Sequence, residues 1–278
     1  MAHTHVDFLF YAIPMIMVFA LVLVLLLCKV CEGETQPFSF MMHWSHSMAD
    51  AAIALPVLAL MGVFTPLMLG EYYTVQANRM MGTFSGPGAE INTANAIGFG
   101  MNDRPYLLAA SMTSATLIGG NYPHETKKEL FHRADRLLEK ALQRNSRLAG
   151  AWFQRGYMVK TINPSIVPKD YPDAETCFKN ALSINPLHMP SRLALADLYE
   201  SRGDMKTALD ILADGVRWPY PGVSAMDYYD RTEKIARALH RDDLMPVIEK
   251  SRETQRTRLE AARTRAHILT EAGLSTEN

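Results

Sequence analysis

The chain has 278 residues, 28 Lys and Arg against 29 Asp and Glu, and a net charge of −1 with histidine neutral. That balance excludes the strongly basic surface of a nucleic-acid binder. Three cysteines (Cys28, Cys31 and Cys177) do not make a disulfide framework, because the count is odd and is split between the edge of an apolar run and a distant helical segment. Charge is unevenly distributed: residues 1–124 hold three of the basic residues (Lys29, Arg79, Arg104) and seven acidic ones. The composition changes near Pro123, which marks the start of a soluble domain.

Phe8 to Cys28 is a run of 21 residues without a charge, fourteen of them Leu, Ile, Val or Phe. About 20 residues at 1.5 Å rise cross a hydrocarbon core, and such a run favours insertion by about 4–8 kcal/mol. No basic leader precedes it and no small-residue cleavage site comes after it, so it reads as a retained span rather than a signal peptide. Asp50 and Glu71 bracket a second uncharged stretch, Ala51 to Gly70, with prolines at 56 and 66. Prolines are tolerated in spans packed on neighbouring helices, so residues 1–70 read as a transmembrane hairpin with spans over 8–28 and 51–70. Aromatic residues fall at both faces: Phe8, Phe10, Tyr11, Tyr72 and Tyr73 at one, Phe38, Phe40 and Trp44 at the other. Lys29 lies on the connecting-loop side, and positive-inside logic then puts the rest of the chain across the membrane. In a bacterium this is the periplasmic side of the inner membrane.

Residues 71–124 read as a connector, with glycine turns at Gly86, Gly88, Gly98 and Gly100, and with an apolar helix over 106–118 packing under the first repeat.

The next segment repeats. Ala134, Leu138 and Ala141 recur as Ala174, Phe178 and Ala181, then as Ala208, Leu212 and Gly215. The last two sets are 34 residues apart, and the first two are 40 apart because Asn163–Pro168 is inserted. Upstream, Trp152 and Gly156 hold a four-residue offset, Leu195, Ala196 and Tyr199 repeat its later part, and Pro186 and Pro219 close units. Over 125–219 this resembles the tetratricopeptide repeat, a helix pair whose small residues let its two helices approach closely. Arg155, Arg192 and Gly215 depart from that pattern. Further helices over 223–239 and 242–270 read as C-terminal caps for 220–278. The last carries a stripe of Ile248, Ser251, Gln255, Leu259, Ala262, Ala266 and Leu269, with Arg252, Arg256, Arg258, Arg263 and Arg265 on a solvated face. The expected fold is all-α: two transmembrane helices, then a tetratricopeptide-like solenoid with capping helices.

The resemblance implies a scaffold that binds a protein or peptide along the first helices of its units. Carried over position by position, that groove is lined by Phe153, Tyr157 and Lys160, and then by Leu193, Asp197 and Glu200. No nucleophile elbow, P-loop or HExxH occurs, so the chain reads as non-enzymatic and without a cofactor. Cys28, Cys31, His43 and His46 share the loop between the spans, where thiolates and imidazoles suit zinc or copper(I). The favoured reading of that loop is an interfacial segment, and that of Cys177 and of the scattered histidines (His124, His132, His188, His240, His267) is packing and solvation. The function expected is an assembly subunit of a multiprotein membrane complex, in contact with other subunits and the bilayer. The alternative is a fragment or partner subunit of a membrane glycan enzyme, because His43, His46, a closing span, Tyr72, Tyr73 and helical repeats faintly resemble the tail of O-antigen ligases and polymerases.

Overall fold

The computed structural model describes residues 46–82, 86–99, 102–218, 220 and 224–271, and every regular element among them is helical. The expected span over 8–28, together with Cys28, Cys31 and His43, lies outside the described residues. Two compact units divide at Pro105.

In the first unit, α1 (His46–Gly82) is a continuous helix of 37 residues and α2 (Gly86–Phe99) packs antiparallel on its C-terminal half. Small residues set the spacing: Ala77, Ala89 and Ala96 are fully buried between the two helices. Tyr73 stacks on Phe99 at 5.8 Å, and the Asn92 amide donates to the Met80 sulfur at 3.2 Å. The glycines at 86, 88 and 98 thus lie at the ends of a helix rather than in a string of turns. Ala51–Gly70 falls wholly inside α1, which runs through both of its prolines. Among the described residues no helix is long and apolar enough to cross a membrane, so the expected span over 51–70 is not shown by the fold.

The second unit begins at Tyr106, earlier than the composition change at Pro123. It takes in α3 (Arg104–Gly119), whose Ala110 and Leu117 join Phe131, Ala134 and Leu138 of α4 (His124–Arg144) in one core cluster. The Arg144 guanidinium lies 4.9 Å over the Tyr106 ring, pinning the end of α4 to the start of α3. Three more pairs come next: α5 (Ala149–Thr161) with α6 (Ala174–Ile184), α7 (Met189–Ser201) with α8 (Met205–Val216), and α9 (Ser224–Ala238) with α10 (Met245–Glu271). The second helices bury the repeating stripe: Phe131, Ala134, Leu138 and Ala141 on α4, then Ala174, Cys177, Phe178 and Ala181 on α6. Each large side chain so buried contributes about 1.5–3 kcal/mol.

Local chemistry sets the boundaries. Asn145 and Asn185 end α4 and α6 with extended backbone, donate back to Ala141 and Ala181, and accept from the backbone N–H two residues on. These paired Asx turns restart the chain as the next first helix. Asp173 and Asp204 cap α6 and α8 by accepting from the backbone N–H groups of Thr176 and Thr207. The insertion folds into a short 3₁₀ turn (Pro164–Ile166) with Ile166 buried, and Tyr171 packs on Phe131 and donates to Asp135 at 2.6 Å. It therefore braces α4.

The departures from the repeat pattern are compensated. Arg155 pairs with Asp135 at 2.8 Å and lies over the Trp152 ring. Arg192 is 4 % exposed and donates to the Pro186 and Ile211 carbonyls and to Asp214. Gly215 makes room for it: a Cβ there would stand 2.5 Å from the Arg192 Cδ and 2.2 Å from the Tyr228 hydroxyl. The buried cation, and a glycine where the two preceding units have Ala141 and Ala181, are therefore one adjustment.

Candidate partner-binding face

Three first helices, α5, α7 and α9, are stitched by charge. Lys160 of α5 donates to one oxygen of Asp197 on α7 at 2.8 Å, and Arg231 of α9 donates to the other at 2.5 Å. Arg231 also reaches Glu200, one turn further along α7, at 2.6 Å. Two cations and two carboxylates form a neutral ladder across three consecutive units. Burial pushes the Asp197 carboxyl up, but Lys160 and Arg231 together outweigh it and hold it below the usual carboxylate range.

The six expected groove residues divide by role. Lys160, Asp197 and Glu200 belong to the ladder. Tyr157 is 42 % exposed, just beyond Phe153, with ring centroids 6.0 Å apart. Phe153 is half-buried against Phe178 and the His188 ring, and Leu193 packs on the core shared by α7, α8 and α9. The face thus offers an aromatic patch centred on Tyr157 beside a polar strip whose charges are already matched. A bound segment would gain apolar contact from the former and hydrogen bonds from the latter, with little net Coulomb attraction.

Arg231 is the member that residue spacing alone did not single out. The 34-residue register, extended by one unit from Asp197, falls on Arg231. His188, expected to face solvent, is instead half-buried: it caps α7 by accepting from the Ser191 N–H at 3.3 Å, and burial holds its pKa below the ordinary histidine value. Arg252, expected on a solvated face, is 9 % exposed and pairs with Asp230 at 2.9 Å and with Glu233. Cys177 is fully buried, and burial pushes its thiol up to about 12, so it is an inert core residue.

A second concavity of about 460 Å³ opens between α6 and α8, lined by Leu182, Leu195, Ile211, Asp210 and Asp214 with Arg192 below. Among the described residues no group of three or more His, Cys, Asp or Glu side chains could hold a metal ion. The Cys28, Cys31, His43 and His46 set falls outside that statement, since only the backbone of His46 is described.

No family model and no curated protein matches the chain. Among solved structures it is similar to a thermophilic TPR protein of Thermus thermophilus, with 19 % identity, 67 % of this chain and 95 % of that chain covered, and a TM-score of 0.48. A likeness that distant carries no argument. The all-α repeat architecture rests on the helix pairs themselves, in which the 34-residue sequence period and the pairing of helices agree.

Proposed function

We propose that this protein is a non-enzymatic scaffold of a membrane-bound assembly, holding a segment of a partner protein along α5, α7 and α9. The observation that carries the proposal is the charge ladder that links three consecutive first helices, with an aromatic patch beside it on α5. Helical repeats place such positions in a row, and an extended or helical segment laid across them meets each unit in turn. Anchoring in a bilayer, among other membrane subunits, is the second part of the proposal. It is supported by the uncharged runs at 8–28 and 51–70. Within α1, Met61 and Val63 are 58 % and 53 % exposed, as side chains facing lipid or a partner helix would be. With Lys29 on the inner side, the repeats would lie in the periplasm of a bacterium.

The test is co-purification of the tagged full chain in mild detergent, quantified by mass spectrometry, against Tyr157→Ala. Because Tyr157 is exposed, the substitution leaves the fold intact. A stoichiometric partner lost from the variant supports the scaffold; an unchanged partner set refutes binding at this face. Retention of the chain in carbonate-washed membranes tests the anchor, and its release would refute it.

A further inference from the structure

α9 has 15 residues and α10 has 27, about 22 Å and 40 Å long at 1.5 Å per residue. The shorter helix therefore covers only the beginning of the longer one. Ile248, Arg252 and Gln255 of α10 are buried, whereas every residue of 256–268 is exposed except half-buried Leu259. The stripe that faces the core in the first half continues without a break. Ile248, Arg252, Gln255, Leu259, Ala262 and Ala266 succeed one another at spacings of 4, 3, 4, 3 and 4, which is the a/d seam of a heptad repeat.

The residues flanking the exposed part of that seam are all cations. In heptad register, Arg256 and Arg263 occupy the e positions, and Arg258 and Arg265 the g positions. The only acidic residue between 256 and 268 is Glu260, away from the seam. In a two-helix contact, e and g side chains meet e and g side chains of the facing helix, so they choose the partner. Four arginines oppose a second copy of this chain, because either orientation would set Arg against Arg. They favour a helix with Glu or Asp at its own flanking positions. The covered half of α10 already takes acidic partners, there at a seam position: α9 meets Arg252 with Asp230 and Glu233, an acidic pair three residues apart.

We infer that the distal half of α10, residues 256–268, is a second docking surface that takes an acidic amphipathic helix of a partner protein. It is independent of the face on α5, α7 and α9, and the two differ in physics. The neutral ladder there gives binding that salt hardly affects, whereas four exposed arginines give binding that salt weakens.

The test uses the full chain in mild detergent and two synthetic three-heptad peptides with leucine at a and d, one carrying Glu and the other Lys at e and g. Fluorescence anisotropy should show the Glu peptide binding at low salt, weakening as salt is raised, and preferred over the Lys peptide by at least about tenfold. The R256E/R258E/R263E/R265E variant, altered only on exposed positions, should keep its far-UV circular dichroism and invert the preference. Tyr157→Ala should leave Glu-peptide binding unchanged, so that this surface and the first-helix face fail separately. The inference is overturned if the wild type binds neither peptide or both equally, or if the folded reversed variant keeps the original preference. It is also overturned if the wild type self-associates through these arginines. Capture by phosphatidylglycerol-containing vesicles, lost in the reversed variant and without peptide binding, would overturn it in favour of a membrane surface.

Discussion

Replacing Gly215 with alanine tests whether the Arg192–Gly215–Tyr228 arrangement is one packed unit. On helix propensity alone the change should stabilise α8 by about 0.8–1 kcal/mol, and alanine is the residue usual at this place in the repeat. The structure predicts the opposite sign. The added methyl would lie 2.2 Å from the Tyr228 hydroxyl and 2.5 Å from the Arg192 Cδ, and neither can step aside. Tyr228 is buried with its hydroxyl donating to the Leu212 carbonyl, and Arg192 is held by two carbonyls and Asp214. Overpacking costs about 1–3 kcal/mol and a lost buried hydrogen bond about 1 kcal/mol. After the propensity gain, Gly215→Ala should destabilise by about 1–3 kcal/mol, lowering Tm by about 3–10 °C. Thermal melts followed at 222 nm measure this, and Tyr228→Phe supplies the control by removing the atom that the methyl meets first. In the Tyr228→Phe background the cost of Gly215→Ala should shrink by about 1 kcal/mol or more. A raised Tm for Gly215→Ala, or the same cost in both backgrounds, would refute the reasoning.

The other predictions concern the second unit as well. Phe178→Ala should cost about 3–5 kcal/mol in urea unfolding, because the ring is fully buried between α5 and α6 against Gly156 and Phe153. In a Cys28→Ser/Cys31→Ser background, Cys177 should resist thiol reagents until denaturant is added, since it is fully buried and its pKa is raised to about 12; rapid labelling of the native chain would contradict its core placement. Acid should destabilise the repeats. Lys179, Tyr199 and Arg202 hold the Glu175 carboxyl at about 2 against an ordinary 4.5, so the unfolded chain takes up protons first as pH falls. That stability is fully present above the unfolded value and is lost as pH falls towards about 2, with Asp197 acting in the same direction. Glu175→Gln should flatten the fall in urea midpoint between pH 4.5 and 2.

Much of the repeat could be read from residue spacing, because that spacing is imposed by packing. Ala134, Leu138 and Ala141 recur where α4, α6 and α8 touch their neighbours, and small residues such as Gly156 recur where a ring must fit. Of the candidate face, Tyr157, Lys160, Asp197 and Glu200 could be placed, but their mutual pairing could not. It depends on Arg231, whose unit has drifted so far that only the 34-residue register points to it. Arg252 misled because arginine is read as a surface residue, and only three-dimensional neighbours show that Asp230 and Glu233 make its burial tolerable; Arg192 stood out only as a departure from the repeat, and its pairing with Asp214 was not legible. Glycine misled at 86, 88 and 98, where it lies within the ends of α2.

The most direct test of the scaffold reading is site-specific photo-crosslinking in intact cells, with benzoylphenylalanine placed at Tyr157 on α5 or, as control, at Lys206 on α8. A scaffold that holds its partner along the first helices should give one discrete protein adduct from position 157 that is absent from position 206. No adduct at 157, or the same adducts from both positions, would contradict it.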